Sequence, residues 1–378
     1  MNNQYENYFK DTESYLSELN QAFKSKGLPE TPHILVADDD GYNQNNLAFW
    51  VVDNGKLQIG EAKIKSRGKR GRHLQTFGGS GVGIYSSGED EYTISQNLAE
   101  PEDTRSDDYC KTPLNRFLAH SALNSIGITN DEKVILITGL PIAQYMKTDG
   151  INEKLIKSKT ANMKTPVKLG PNKTPSAEIV YHGVLPEAIS GIVDWIMDED
   201  GSVVNDPNIT RMALDIGGNT TDMAVIMPGN EVGKVATAKF GVSHMRDALK
   251  TLLEDKFEMA LDSKVMDEAL EDGVAHIFGE ANDVSAERET AITKVLKDIF
   301  HSADTFRKEF PSIREMVGFG GGVALCQEVL TKKYPQLKTM ANPDGANARG
   351  ALKYTTYGLL GDIVVQLESE TKTSSVAE

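Results

Sequence analysis

The stretch LDIGGNTTD, residues 214–222, decides how the rest of the chain is interpreted. Apolar residues flank it, with Met212-Ala213 before it and Met223–Ile226 after it, so the sequence predicts two short strands joined by a glycine-rich turn. Glycines at such a turn let backbone N–H groups approach an anion, because no Cβ stands in the way. Asp215, at the end of the first strand, adds a carboxylate suited to Mg²⁺, which keeps several of its waters. An ordinary hairpin turn rich in Gly, Asn and Thr is the alternative interpretation.

Two further stretches have the same character. Ile34–Ala37 is a second apolar strand, and it runs into Asp38-Asp39-Asp40-Gly41. Adjacent carboxylates repel one another, so this turn also favours a bound cation. Met316–Phe319 leads into Gly320–Gly322 and then into the helical pattern Val323–Tyr334, an arrangement that lets a flat or anionic ligand approach a helix N-terminus.

In this order the three stretches resemble the actin-type ATPase fold, in which two related domains hold a nucleotide between a pair of phosphate-binding hairpins. The more specific resemblance is to the ParM/StbA group of bacterial plasmid-segregation actins. Four more segments carry this resemblance: residues 103–109, 113–123, 138–145 and 185–188. Each segment alone is a weak signal, but all seven occur in the order of the family, and together they cover roughly residues 33–360.

The resemblance implies an α/β fold of the actin-like, ribonuclease-H-like kind, a two-domain ATPase with the nucleotide in the interdomain cleft. It implies ATP, with GTP as the alternative, as the ligand, and Mg²⁺ held through water by Asp39 and Asp215. It implies catalytic roles for Asp215 and Glu187, the latter as the group that orients the water attacking the γ-phosphate. A glutamate that only interacts with a helix dipole is the alternative for Glu187. The implied nucleotide-binding residues are Asp39, Gly41, Asn43, Gly217, Gly218, Asn219, Thr220, Gly320, Gly321 and Gly322.

The first turn departs from the family at one position. Actin-type turns usually place a lysine near the β-phosphate a few residues after the glycine, but here that position holds Asn46. Tyr42 stands where a small hydroxyl residue is usual, and Lys56 is too far along the chain to replace the lysine. We therefore expect weaker phosphate contacts at this turn.

Linkers and helical patterns divide the chain. Residues 1–30 form an N-terminal extension whose apolar positions predict a helix packed on its own domain, with a contact between protomers as the alternative. Residues 31–205 form the first domain, with a small subdomain at about 55–110, and a C-terminal helix at 346–367 completes it. Residues 206–345 form the second domain, after the polar linker 198–208. The polar residues 368–378 are expected to be a disordered tail.

Charged segments and one proline add further expectations. The basic run at residues 63–72 predicts a solvated loop above the cleft, with a contact between protomers as the alternative. Residues 147–173 form a charged excursion, helix or loop, that returns to the sheet. Pro186 is suited to the start of a helix, which would place Glu187 in the first turn.

Composition restricts the function. The chain has 378 residues, of which 39% are hydrophobic, and its mean hydropathy is −0.37, as expected of a soluble protein with a buried core. Its net charge of −15 disfavours direct DNA binding, which needs a basic surface. The apolar stretch Val134–Ala143 is too short to span a membrane, and the first residues do not form a secretory signal. Cys110 and Cys326 form no disulfide framework and fit a reducing bacterial cytoplasm.

These observations predict an ATP-dependent, filament-forming bacterial actin-like protein that segregates a plasmid or another low-copy replicon. The resemblance implies head-to-tail self-assembly and a small basic DNA-binding adaptor, ParR-like, at a centromere-like DNA site. An actin-fold ATPase with another role, such as a cytoskeletal or cell-division scaffold or a small-molecule kinase, is the alternative.

Overall fold

Two five-stranded sheets with the same topology form the frame of the molecule. The computed structural model describes residues 34–53, 56–73, 82–98, 100–130, 132–148, 150–359 and 362–363. The helix predicted within residues 1–30 and the polar tail at 368–378 lie outside these residues.

The strands, in chain order, are β1 Ile34–Asp40, β2 Gln44–Asp53, β3 Lys56–Lys65, β4 Gly68–Arg70, β5 Val82–Ser87, β6 Asp90–Ser95, β7 Lys133–Leu140, β8 Met146–Lys147, β9 Gly150–Ile151, β10 Lys168–Leu169, β11 Thr174–Pro175, β12 Glu178–Pro186, β13 Arg211–Ile216, β14 Thr221–Met227, β15 Glu231–Ala238, β16 Val274–Ile277, β17 Glu280–Asp283, β18 Glu315–Phe319 and β19 Leu337–Thr339. The α-helices are α1 Pro113–Ser125, α2 Ile142–Tyr145, α3 Glu153–Met163, α4 Ile189–Ile196, α5 Val242–Phe257, α6 Ser263–Asp272, α7 Ser285–Lys308, α8 Gly321–Lys333 and α9 Ala346–Tyr354. Short 3₁₀ turns lie at Tyr109–Lys111, Pro228–Asn230 and Pro343–Gly345, and a π-helical turn at Thr355–Leu359 follows α9.

The first sheet has the strand order β12-β7-β1-β2-β3. β1, β2 and β3 form an antiparallel meander, whereas β7 and β12 lie parallel to β1 on its other side. The second sheet repeats this pattern, with β13, β14 and β15 as the meander and β18 and β19 as the parallel strands. The hairpins predicted after Ile34–Ala37 and after Leu214 therefore occupy equivalent positions in the two sheets.

Helices cover both faces of the first sheet, which explains why β1 is an apolar run rather than an alternating one. Val36 points to the face that packs with Ala119 and Leu123 of α1. Ala37, one residue later, points to the opposite face, where it belongs to the same cluster as Ala348 and Leu352 of α9. Thus α9, at the end of the described chain, packs on the sheet that the chain built first.

The second sheet is also covered on both faces. On one face its strands pack with α5, α7 and α8, and α7 is 24 residues long. On the other face, Ala213 and Val317 pack with Ile192 of α4. Helices α4 and α9 cross closely, since a Cβ added to Gly350 would lie 1.7 Å from the carbonyl oxygen of Ser190. This crossing lies between the two sheets.

One of the charged segments differs from the sequence prediction, and a second agrees with it. The basic run at 63–72 is not a loop, because its residues belong mainly to β3 and β4. β4 lies in a third sheet of order β11-β10-β5-β6-β4, whose Tyr92 and Ile94 pack with Phe117 of α1. The excursion at 147–173 contains α3, whose buried residues Lys159, Asn162 and Met163 share one face at helical spacing.

Candidate active site in the interdomain cleft

The parallel strands of both sheets end at one cavity. In an open α/β sheet, ligands bind outside the carboxyl ends of such strands. Here those ends bring Asp39, Gly139, Glu187, Asp215 and Gly320 to a cavity of about 910 Å³ between the two sheets. Because both sheets contribute walls, a ligand in this cavity would contact both domains at once.

The three adjacent acids at the end of β1 have three different environments. Asp38 is buried and accepts a hydrogen bond from Asn45 Nδ2 at 2.8 Å. Asp40 is buried as well, and it accepts from Asn115 Nδ2 at 2.8 Å. Asp39 lines the cavity. Burial, and then the charge of Asp40, raises the pKa of Asp39 to about 7.

A lysine from α3 pairs with the third acid. Lys159 Nζ lies 2.8 Å from Asp40 Oδ1, and each side chain is only 2% exposed. The same ammonium group donates to the carbonyl oxygen of Gly139 at the end of β7. The residues that directly follow Gly41 contain no lysine that could serve this hairpin. Lys159 instead reaches the hairpin from 119 residues further along the chain.

The glycine-rich turn after β13 directs two of its carbonyl groups at the start of α5. The carbonyl oxygens of Gly217 and Gly218 accept hydrogen bonds from Val242 N at 3.0 Å and Ser243 N at 2.7 Å, at the start of α5. In a trans peptide the N–H points opposite to the C=O, so the N–H groups of Gly218 and Asn219 point away from α5. The turn therefore has the geometry of an anion-binding hairpin.

One asparagine links the acids of the two hairpins. Asn347, at the start of α9, donates from Nδ2 to Asp215 Oδ2 at 2.7 Å, and its side chain also hydrogen-bonds Asp39. Its Oδ1 accepts from the backbone N–H groups of Ala188, at 3.1 Å, and Gly191, at 3.2 Å. The Asn347 side chain thus fixes both carboxylates relative to the residue that follows Glu187.

Asp215 itself is buried beneath the third glycine-rich segment. A Cβ on Gly320 would lie 2.4 Å from Asp215 Oδ1, and Gly320 has a φ of 87°, so only glycine suits this position. A Cβ on Gly322 would lie 2.2 Å from the side chain of Ile216. Gly321 has open space around it and lines the cavity. Burial, followed by the charges of Asp39 and Asp222, raises the pKa of Asp215 well above its usual range.

Glu187 lies over the end of β7. Its Oε1 would be 2.9 Å from a Cβ on Gly139, so glycine at position 139 makes room for this carboxyl group. The structure corrects the prediction that Pro186 begins a helix. Pro186 is instead the last residue of β12, an edge strand in which a missing N–H is tolerated, and Glu187 lies in the turn before α4. Burial, followed by the charge of Asp39, raises the pKa of Glu187 well above its usual range.

Asp222 ties the second hairpin to the first domain. Its Oδ1 accepts from Ile142 N, at the start of α2, at 3.1 Å. Thr220 Oγ1 donates to Oδ2 at 3.2 Å, and Thr237 Oγ1 donates to Oδ1. Burial raises the pKa of Asp222 to about 6, although these threonine hydrogen bonds lower it. Asp222, which lies two residues after Thr220, therefore orients the hairpin.

Most of the residues named from the sequence meet at this cavity. Those that line it are Asp39, Gly41, Asn43, Glu187, Asp215, Gly217, Gly218, Thr220, Gly320 and Gly321. Asn219 and Gly322 are not among the lining residues, the first because it stands at the tip of the turn and the second because it packs against Ile216. A Cβ on Gly218 would lie 3.0 Å from the side chain of Asn43, so the two hairpins approach each other closely.

Comparisons with known proteins agree with this geometry. The family model described as plasmid segregation protein ParM, N-terminal, matches residues 34–196. The model described as archaeal actin homologue MreB-like, C-terminal, matches residues 213–332. The chain belongs to the actin-like superfamily.

Solved structures share the fold of this actin-like protein at low sequence identity. The archaeal actin homolog Ta0583 superposes with a TM-score of 0.67 at 16% identity, covering 85% of this chain and 99% of its own. The same protein in complex with ADP gives a TM-score of 0.65 at 17% identity, covering 84% of this chain and 97% of its own. The subunit of a 15-stranded ParM filament from Clostridium botulinum gives a TM-score of 0.66 at 19% identity, covering 85% of this chain and 98% of its own. No curated protein sequence matches this chain.

Ion pairs cross the mouth of the cleft in this actin-like protein. Lys65 Nζ lies 2.9 Å from Asp267 Oδ2 of α6, and Arg67 pairs with the same carboxylate. Arg105 Nη1 lies 2.5 Å from Asp247 of α5. The prediction of a solvated loop at residues 63–72 is therefore wrong for Lys65 and Arg67, because acidic residues of the second domain attract them across the cleft.

The carboxylates of the cleft fit Mg²⁺. Asp39 and Asp215 come from opposite domains, and the charge of Asp39 raises the pKa of Asp215 in addition to the larger effect of burial. A divalent cation between them would relieve that repulsion. Within the part of the chain that the structure describes, no group of three or more His, Cys, Asp or Glu side chains is arranged to hold a metal. A Mg²⁺ site typically contains only one or two protein carboxylates, because the ion keeps several waters and also binds substrate phosphates.

None of the helices that the structure describes is long and apolar enough to cross a membrane.

Proposed function

We propose that this actin-like protein binds and hydrolyses ATP, with GTP as a possible substitute, and that the nucleotide controls its assembly into head-to-tail filaments. We further propose that the filaments segregate plasmid, or other low-copy replicon, DNA in the bacterial cytoplasm. The observation that carries the proposal is the pair of equivalent hairpins, one from each domain, facing one cavity with Asp39 and Asp215 joined by Asn347. Members of this fold family are ATPases, and the archaeal homolog forms a complex with ADP.

Each part of the cleft has a role in this proposal. The N–H group of Gly218, which points away from α5, would hold the phosphates together with the other lining residues of this turn, Gly217 and Thr220. Asp39 and Asp215 would hold Mg²⁺ through water. Bound Mg²⁺ neutralises charge on the phosphate oxygens. Gly320 and Gly321 would border the nucleoside, since a flat group can approach where no Cβ projects.

Glu187 is proposed to position the attacking water. Its carboxyl group lies at the cavity wall beside Gly139, and a carboxylate there can accept a hydrogen bond from a water molecule. The turn that carries Glu187 is held by Glu187 N, which donates to the carbonyl oxygen of Leu140 at 2.9 Å. Since the backbone is fixed and the helix begins only at Ile189, the Glu187 side chain is directed by the strand end rather than by a helix.

Nucleotide bridging explains how hydrolysis would change the filament. A nucleotide bound to both hairpins closes the cleft, and loss of the γ-phosphate removes contacts to one of them. An open filament needs a heterologous contact, in which two different surfaces of the subunit meet. The net charge of −15 favours contact with DNA through a small basic adaptor rather than directly.

Light scattering and pelleting test the filament. With Mg-ATP, scattering should rise and the protein should pellet, whereas without nucleotide it should remain monomeric. Protein that stays monomeric with ATP and with GTP, across salt and into the micromolar range, would exclude the filament. In a gel-shift assay the protein alone should not bind DNA, and a shift at about 150 mM salt would contradict the need for an adaptor.

Glu187→Ala tests the chemistry. The variant should bind nucleotide and assemble, but it should release phosphate roughly 100-fold more slowly, because water positioning acts in the transition state. Glu178→Ala, at the exposed start of the same strand, is the matched control and should hydrolyse at the wild-type rate. Wild-type hydrolysis by Glu187→Ala would remove Glu187 from the mechanism. Asp215→Ala should lose Mg²⁺-dependent nucleotide binding.

A further inference from the structure

An aromatic side chain projects from the tip of a hairpin in the second domain. Phe278 and Gly279 form the two-residue turn between β16 and β17, and Phe278 is 90% exposed. Both turn residues have positive φ, 52° at Phe278 and 85° at Gly279. Turns of this type favour Asn, Asp or Gly at both positions, because a side chain with a Cβ is disfavoured at positive φ. Phe278 is thus unfavourable here both for its backbone conformation and for its exposure to water.

An apolar pocket with a basic rim lies at the other end of the same domain. Its volume is about 390 Å³, and it is lined by Asp304, Arg307, Lys308, Phe310, Pro311 and Ile313. A cavity of about 150 Å³ lined by apolar side chains is enough to bind benzene, so this pocket has room for a phenyl ring. Asp304 pairs with Lys333 Nζ at 2.9 Å and with Arg307 Nη1 at 3.7 Å, so this one acid of the lining faces more than one cation, and Lys308 adds a further positive charge to the rim.

Helix α7 separates the hairpin from the pocket. β17 ends two residues before α7 begins, and the pocket is formed by the C-terminal end of α7 and the residues that follow it. The 24 residues of this helix span about 36 Å at 1.5 Å per residue. The hairpin follows α6, which carries the ion pairs at the mouth of the cleft. The pocket lies at the end of the second sheet away from the cleft, where Arg314 N donates to the carbonyl oxygen of Thr210 just before β13.

We propose that Phe278 of one subunit inserts into this pocket of the next subunit along a filament. The inference rests on the proposed function, since it assigns the two surfaces that a head-to-tail contact requires. A projecting group at one end and a matching pocket at the other end form a heterologous contact, which repeats without closing. Aromatic residues in desolvated pockets are typical anchors of protein interfaces.

Charge complementarity identifies a second copy of this chain as the occupant. The hairpin that carries the phenylalanine has exposed acids, with Glu280 directly after the turn and Asp272 and Asp283 at the base of the hairpin. The pocket rim carries Arg307 and Lys308. Opposite charges at the edges of an interface guide association and reject misaligned contacts. The two surfaces therefore carry opposite charges, and the pocket offers Phe310, Pro311 and Ile313 as apolar contacts for the phenyl ring.

Phe278→Ser measures the contribution of the anchor. With Mg-ATP, its critical concentration for assembly should rise about tenfold or more, as for removal of a central interface side chain. Nucleotide affinity of the monomer and its melting temperature should be unchanged, since the side chain is exposed. Ile151→Ser, a 56% exposed apolar residue in the small β8–β9 hairpin, is the matched control and should assemble like the wild type. A lowered melting temperature of Phe278→Ser would show that Phe278 packs within its own chain, and would overturn the inference.

Charge reversal and cross-linking locate the partner surface. Lys308→Glu should raise the critical concentration, and Glu280→Lys added to it should restore assembly in part. In a separate variant, Glu280→Cys with Ser312→Cys should form a ladder of covalent oligomers under oxidising conditions with Mg-ATP. The native Cys110 and Cys326 are buried and should not contribute, and either single-cysteine variant should give no ladder.

The outcomes separate this inference from the proposed function. A wild-type protein that never assembles would overturn both. A wild-type protein that assembles, with Phe278→Ser within twofold of its critical concentration and no ladder from the double-cysteine variant, would overturn the contact and leave the filament standing.

Discussion

Replacing Lys159 by methionine removes the charge from the ion pair with Asp40 and keeps a side chain of similar length. The structure gives the expected magnitude. Both side chains are 2% exposed, so water does not replace the lost partner, and Asp40 retains only its hydrogen bond from Asn115. Removing one partner of a buried ion pair costs about 3–5 kcal/mol, because the remaining charge is left unpaired. We expect this decrease in the free energy of unfolding of nucleotide-free Lys159→Met.

Urea titration followed by tryptophan fluorescence measures this loss, because Trp50 lies in the first sheet. Lys157→Met is the matched control. It lies two residues away on the same helix and pairs with Glu153, but its side chain is 77% exposed. Such a surface pair contributes about 0.3–0.5 kcal/mol. If Lys159→Met costs no more than Lys157→Met, the reasoning is refuted.

The double variant Lys159→Met with Asp40→Asn tests whether charge is the cause. Removing both charges should recover most of the lost stability, since an amide can still bond to Asn115 and carries no uncompensated charge. Equal stability of the single and double variants would show that the methylene chain of Lys159, and not its ammonium group, supports the first hairpin.

Three further predictions concern the cleft. Burial raises the pKa of Asp39 from 3.8 to about 7, so between these pH values the folded state keeps a proton that the unfolded chain has released, and the protein loses stability as pH rises. Asp39→Asn should therefore gain stability relative to the wild type from pH 4 to 7. In nucleotide-free chemical unfolding the gain should be at most about 1.4 kcal/mol per pH unit. Arg67→Ala should release a fluorescent nucleotide about fivefold faster in stopped-flow measurements, because it removes an ion pair with Asp267 across the cleft mouth. An unchanged release rate at low salt would show that this pair does not hold the cleft closed. Asn347→Ala should lower the free energy of unfolding by about 1–3 kcal/mol, because two buried backbone N–H groups lose their acceptor. A free energy of unfolding within error of the wild-type value would mean that water replaces the amide.

The sequence predicted the elements whose residues carry a local signal. The strand at Ile34, the hairpin around Asp215 and the helix after Gly320 each combine an apolar period with glycines, and all three are confirmed. The actin-like fold follows from their order, and it too is confirmed. Short-range patterns of this kind arise from steric and hydrophobic rules that act within a few residues.

Contacts between distant residues could not be predicted in this way. Nothing near Lys159 in the sequence indicates that it pairs with Asp40, since 119 residues separate them. Asn347 was predicted only to lie in a packing helix, although its amide joins Asp39 and Asp215. Lys65 and Arg67 have the composition of a solvated segment, and only the fold shows the acidic residues opposite them. The roles of the site residues in binding and hydrolysis stay predictions.

The position of α9 on the first sheet has a consequence for synthesis on the ribosome. Leu35, Ala37, Ile135 and Ile137 are made early, yet the helix that covers this face contains Ala348 and Leu352. The roughly 150 residues between α4 and α9 take about 8–30 s to translate at 5–20 residues per second. During that interval the second sheet has all of its strands available before the first sheet is covered. The part of the chain that emerges first is therefore the last to complete its core, and its open face is exposed to chaperones and to aggregation until α9 emerges.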